Sequence, residues 1–81
     1  MYVRSQNRKF LGKVNQAYIC GTDNDQIWCD EGTCLGVYLD NDRALEVIDM
    51  MQDHLEDGYM IQEVDKETSF TRASIFEMPI R

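Results

Sequence analysis

One stretch alone is long and periodic enough to be a helix, and the rest of the chain must fold around it. "DNDRALEVIDMMQDHLEDG" runs from Asp40 to Gly58. Asp40 or Asn41 is placed to cap its first turn, and Asp42 sits where the helix dipole favours an acid. Gly58 is predicted to stop it, giving a helix over about 41–57. At 100° per residue Ala44, Val47, Ile48, Met51 and Leu55 fall on one apolar stripe. A single stripe needs a surface to cover it. Burying its four large side chains contributes roughly 2 kcal/mol each, about 8 kcal/mol before entropy costs, which fixes the orientation of the helix.

That surface is predicted to be a sheet, because the first forty residues break into short β-rich runs separated by turn signals. "MYVRSQ" and "KFLGKV" flank a tight turn at Asn7-Arg8, "QAYICG" and "QIWCD" flank "TDND", and "EG" precedes "TCLGVYL". In this last run Leu35, Val37 and Leu39 alternate with Cys34, Gly36 and Tyr38, and the leucine face is the expected core face. After the helix, "YMIQEV" and "ASIFEM" read as one or two further strands joined by the polar "DKETSFTR", with Pro79 ending the last. The expected fold is α+β: a small antiparallel β-sheet of about five to six strands packed against one amphipathic α-helix. With 81 residues the chain makes a single domain, 1–81.

Several classes are disfavoured by composition. A hydrophobic fraction of 43%, one Pro and five Gly are those of a globular chain. No apolar run nears the eighteen or so residues of a membrane span, and "MYVRSQNRKFLGK" lacks the apolar centre of a signal peptide, so a cytosolic location is expected. Cys20, Cys29 and Cys34 are odd in number and are expected to be reduced thiols. With His54 they would make four zinc ligands, but no pair stands at the spacing that holds two ligands in one turn. No metal or cofactor is expected. A nucleophilic cysteine needs a base and an orienting group, and no local Cys-His signature supplies them, so no enzyme chemistry is expected either.

Charge is strongly polarised along the chain. Residues 1–22 carry Arg4, Arg8, Lys9 and Lys13 with no acid, whereas residues 23–81 carry all fifteen acids against four basic residues, for a net charge of -7. Direct nucleic-acid binding is disfavoured over most of such a surface. Six acids, Asp42, Glu46, Asp49, Asp53, Glu56 and Asp57, share the helix sector opposite the apolar stripe. Their five like-charge pairs at i,i+3 or i,i+4 spacing each cost about 0.2–0.5 kcal/mol, which core burial outweighs. A plain solvated face accounts for such a ridge. It also has the form of a phosphate-backbone mimic that occupies the basic groove of a nucleic-acid-handling protein. Tyr18, Trp28 and Tyr38 lie on strands, where an uncovered sheet face would present them for self-association or as a ligand platform.

Three segments, "MYVRSQNRKFL", "LGVYLDNDRALEVIDMMQ" and "IFEMP", resemble a family of small proteins encoded by phages and prophages of Gram-positive bacteria. Members open on an aromatic residue or Ile followed by Arg-Ser-Gln, continue with a Leu-Gly-x-Tyr strand into an Arg-Ala-x-x-Val helix, and close on Phe-x-Met-Pro. The matching positions are Arg4, Ser5, Gln6, Leu35, Gly36, Tyr38, Arg43, Ala44, Val47, Phe76, Met78 and Pro79. "DNDQIWCDEG" and "EDGYMIQEVDKETSF" depart from the pattern. The resemblance implies phage or prophage origin and the cytoplasm of a host bacterium, and brings no catalytic residues. An inhibitor needs only a surface, whereas an enzyme needs a supported pocket. The expected function is therefore non-enzymatic: binding and inhibition of a host defence or nucleic-acid-handling protein through the acidic helix face. One alternative is a sponge that sequesters a nucleotide immune signal through Arg4, Arg8, Lys9, Trp28 and Tyr38, phosphates on the basic residues and bases on the aromatic ones. Another is a structural or regulatory phage protein with no defence role. Opposite charge patches on identical chains also predict a homo-oligomer.

Overall fold

The computed structural model describes residues 1–64 and 75–81, residues 56–64 by backbone alone. Strands β1 (Tyr2–Arg4), β2 (Leu11–Lys13), β3 (Ala17–Cys20), β4 (Gln26–Cys29) and β5 (Cys34–Val37) precede helix α1 (Asn41–Val64), and β6 (Ile75–Glu77) follows it. The fold is α+β, but the strands form two three-stranded sheets, ordered β2-β1-β6 and β3-β4-β5. Four strand pairs are made, and all are antiparallel except β1 with β6, which is parallel. A parallel pair needs a long crossover, and the whole stretch from β2 to α1 lies between these two strands.

Turn chemistry sets the hairpins. Between β1 and β2 the Asn7 side-chain carbonyl accepts from Ser5 Oγ at 2.7 Å and from the Lys9 amide at 2.9 Å, while Arg8 adopts a positive φ of 70°. Between β3 and β4, Gly21 takes φ 101° and its carbonyl accepts from the Asn24 amide at 3.1 Å. Asp40 proves to be the N-cap of α1, its Oδ1 accepting from the Arg43 amide at 2.8 Å.

The leucine face predicted for β5 is a correction. Ile27 pairs with Gly36 while the next residue, Trp28, pairs with Cys34, so Leu35 is one residue too many on its strand. This β-bulge resets the alternation. Leu35 is buried, but Val37 and Leu39 are exposed, Leu39 to 90%. Tyr38 turns inward instead and lies over Gly36.

The helix also differs from expectation at its far end. Gly58 does not stop it, and "YMIQEV" is its last six residues rather than a strand. An interior glycine costs about 1 kcal/mol, too little to end a helix when Met60, Gln62 and Glu63 continue it and no proline follows. The predicted loop "DKETSFTR" lies outside the described residues, and the "ASIFEM" strand is present at Ile75–Glu77. Ala44, Val47 and Met51 are buried as predicted and Ile48 packs against the core, but Leu55 is 53% exposed. It lines an open groove with Ile48, Met51 and Ala17, where the helix passes β3. The core joins Val3 and Phe76 of the first sheet to Ile27, Cys29 and Leu35 of the second beneath the helix.

What closes the two sheets on each other is a seam of polar contacts. The Gln6 amide donates to the Leu35 carbonyl at 2.8 Å. Its side chain accepts from the Val37 amide at 2.9 Å and donates to the carbonyls of Val37 at 3.0 Å and Ile80 at 2.8 Å. Tyr38 donates its hydroxyl to the Pro79 carbonyl at 2.9 Å, and the Arg43 guanidinium donates to the Arg81 carbonyl at 3.0 and 2.7 Å. Met78 donates its amide to the Arg4 carbonyl, extending the β1–β6 pair that carries this tail.

Candidate functional site

Two surfaces predicted from the sequence can be built from these elements. The first is the outer face of α1. Asp42, Glu46, Asp49 and Asp53 are all exposed there, and Arg43 stands 3.9 Å from Glu46 as the one cation paired with them among the described residues. The side chains of Glu56 and Asp57 lie outside the described residues. Leu45 and Met50 flank the acids and are exposed as well. Acids with half-exposed large apolar side chains at their margins form a surface suited to a basic partner with apolar contacts of its own.

The second surface is the outer face of β2-β1-β6. Val3 and Phe76 are paired and buried, so period-two alternation turns Tyr2, Arg4, Leu11, Lys13, Ile75 and Glu77 outward. A cavity of about 260 Å³ opens there, lined by Arg4, Arg8, Leu11, Ile75 and Glu77. Arg4 is half-buried, and its Nε donates to the Arg8 carbonyl at 3.1 Å. Its terminal nitrogens have no partner among the described residues. Arg8 is exposed and donates to Glu77 Oε1 at 2.7 Å, so one of the two positive charges is already matched. Lys9 is exposed in the adjoining turn.

Trp28 and Tyr38 do not join the arginines. Tyr38 is only 5% exposed and is committed to Pro79, so it offers no stacking face to solvent. Burial pushes its phenol up to about 12, against a smaller opposing pull from Arg43. Trp28 is half-buried on the other sheet, opposite Tyr18 and Cys34 in register, with its indole N–H held by Gln26 Oε1 at 2.9 Å. Cys29 is fully buried, and Cys20 and Cys34 are half-buried and free. Burial raises the Cys34 thiol above its ordinary value, more than its contact with the Gly36 carbonyl lowers it. A raised thiol is a poor nucleophile at neutral pH. His54 sets its ring edge on Phe76, centroids 5.4 Å apart, with Nε2 enclosed and without a partner among the described residues. No group of three potential metal ligands occurs among the described residues.

Sequence reasoning missed Leu11, Ile75 and Glu77 as walls of the arginine cavity. Leu11 comes there as the hairpin partner of Arg4, but only the parallel docking of β6 beside β1 brings Ile75 and Glu77, and nothing local in the sequence announces a parallel pair. It also missed Gln6, whose side chain does the work of a strand.

Comparison with protein-family models, curated proteins and solved structures finds no match. No helix among the described residues is long and apolar enough to cross a membrane.

Proposed function

We propose that this protein acts by binding rather than catalysis, as a phage-type inhibitor that presents the acidic face of α1 to a basic surface of a host nucleic-acid-handling or defence protein. The observation that carries this function is the exposure of Asp42, Glu46, Asp49 and Asp53 along one helix face, with only Glu46 near a cation among the described residues. Their spacing of three or four residues corresponds to one charge per about 5.5 Å of helix axis. A single nucleic-acid strand carries one per about 3.4 Å, so the ridge has roughly 60% of that charge density. That is enough to compete for a groove lined with Lys and Arg.

The test is capture from a lysate of the bacterial host, followed by elution of the bound protein with duplex DNA. The native chain is expected to retain a protein that DNA displaces. The folded variant E46Q/D49N/D53N is expected to retain much less of it. Equal capture by both chains would remove the acidic face from the function.

A second function is favoured by one observation, the meeting of Arg4 and Arg8 in one cavity. It is sequestration of a nucleotide immune signal, with phosphate on the arginines. The placement of Tyr38 removes one of the aromatic partners first expected for it, and Trp28 lies on the other sheet. Protein isolated from a signalling host and heat-released would yield a nucleotide by mass spectrometry, and R4A/R8A would not. Ligand-free native protein from such a host would exclude sequestration.

A further inference from the structure

We infer that the outer edge of β2 is a docking site for an acidic, extended peptide segment of another protein, which adds antiparallel to it as a further strand. The inference needs neither the acidic helix face nor the arginine cavity.

The hydrogen-bond phase of the hairpin opens this edge. Val14 donates its amide to the Met1 carbonyl at 2.7 Å, and Ser5 donates to the Phe10 carbonyl at 2.9 Å. Bonded pairs recur at every second residue of an antiparallel ladder, so Val3 and Gly12 form the bonded pair between these two. Leu11 and Lys13 therefore turn their amides and carbonyls away from β1. None of these four groups has a hydrogen-bond partner among the described residues. An added antiparallel strand would pair with all four, and such main-chain bonds are the source of affinity in strand addition.

Side chains at the same positions choose the partner. Leu11 is 52% exposed and lies between Lys9 and Lys13, both exposed. The ion pairs among the described residues are Arg8 with Glu77 and Arg43 with Glu46, so neither lysine has an acid partner there. Lysine on an edge discourages pairing with a second copy. Two β2 strands paired antiparallel about Leu11 would set Lys13 of each opposite Lys9 of the other, and like charges directly opposite are destabilising. An acidic strand meets no such penalty. Opposite Lys13, Leu11 and Lys9 it takes the pattern acid-x-apolar-x-acid, whose alternate side chains share the outer face with these three. Among the described strands of this chain the one acid is Glu77, and Arg8 already holds it. The segment therefore belongs to a different protein.

The experiment titrates the full chain with the heptapeptide acetyl-Thr-Glu-Thr-Val-Thr-Glu-Thr-amide, read by amide NMR and hydrogen exchange. At a peptide concentration ten times the Kd, the Leu11 and Lys13 amides should exchange about tenfold more slowly, and Gly12 and Val14, already bonded to β1, should change far less. Methylating the valine nitrogen removes the donor that faces the Leu11 carbonyl and should weaken binding about tenfold. Methylating the threonine before it, whose N–H faces away from β2, should leave binding unchanged. K13E should weaken binding about tenfold, and acetyl-Thr-Lys-Thr-Val-Thr-Lys-Thr-amide should not bind.

Thermal melting establishes that K13E folds. Should it not, the two methylated peptides decide on the native chain. Equal binding of those two peptides, binding of the lysine peptide as tight as that of the acidic one, shifts confined to α1 or the arginine cavity, no shift at all, or tighter binding of the oligonucleotide (dT)6 at the same lysines would each overturn the inference.

Discussion

Gly36 and Tyr38 fit together at a distance that leaves no room for a methyl group. A Cβ on Gly36 would lie 2.7 Å from Tyr38 Oη and 2.8 Å from a ring carbon. The rigid ring cannot yield without surrendering its bond to Pro79, so G36A should destabilise by about 1–3 kcal/mol in urea unfolding. Y38F keeps the ring and loses only the hydrogen bond, and should cost about 0.5–1.5 kcal/mol. The Tyr38 phenol, raised from 10.0 to about 12, also gives a pH signature. Between those values the unfolded chain has released a proton that the folded chain keeps, so stability falls as pH rises from about 10 toward 12. Ultraviolet titration should find a late-ionising phenol that is lost in Y38F, and the alkaline loss of stability should vanish with it. The sequence made Tyr38 conspicuous but pointed it the wrong way. Alternation along "TCLGVYL" is a sound guide only while no residue is skipped, and the bulge at Leu35 depends on pairing with β4 that no local pattern encodes.

Among the elements, α1 was the most legible and was also misjudged at one end. Its cap and its first three turns follow from Asp40 and a 3.6-residue apolar period, both local properties. Its length turns on Gly58, whose helix-breaking cost is too weak to act as the predicted stop. If that glycine lies inside a continuous helix, G58A should raise stability by about 0.5–1 kcal/mol and increase the helical circular-dichroism signal. An unchanged or lower stability would place a special backbone need at that position. The acidic face belongs to this scale too. Replacing Glu46, Asp49 and Asp53 by amides removes all five like-charge pairs counted along the helix, so the variant should melt at the same temperature or slightly higher while its partner binding falls. The face itself was readable because helical periodicity alone assigns it. The arginine cavity was only half readable: Arg4 and Arg8 stand four residues apart, but Glu77 reaches Arg8 from a strand 69 residues away.

The whole molecule gathers Arg4, Arg8, Lys9 and Lys13 in the hairpin of one sheet and a row of acids along the helix. It also leaves Val37 and Ile80 exposed at the seam, their carbonyls bridged by one Gln6 nitrogen, with Leu39 nearby in sequence. Complementary charges and uncovered apolar side chains should support self-association. Light scattering across a concentration series is expected to show a dimer or small ring that loosens at 1 M salt, where the Debye length is about 3 Å, without dissociating fully. A constant mass of 9.5 kDa at every concentration and salt level would assign those patches to another partner. The division into two sheets was not legible at all, since the contacts that make it are side-chain amides and hydroxyls reaching across as many as 74 residues.

Gln6 has a consequence for anyone mapping function by mutation. Its backbone and amide occupy the free edge of β5, the position where an open strand would recruit a second chain. Q6A, or Q6E, whose carboxylate cannot donate to the two carbonyls, would uncover that edge at Val37 and free the Ile80 carbonyl. Such variants would be lost to edge-to-edge aggregation before any partner was met. A screen that scores activity alone would then count Gln6 as a contact residue, whereas a parallel measurement of soluble yield would identify it as the residue that keeps neighbouring molecules apart.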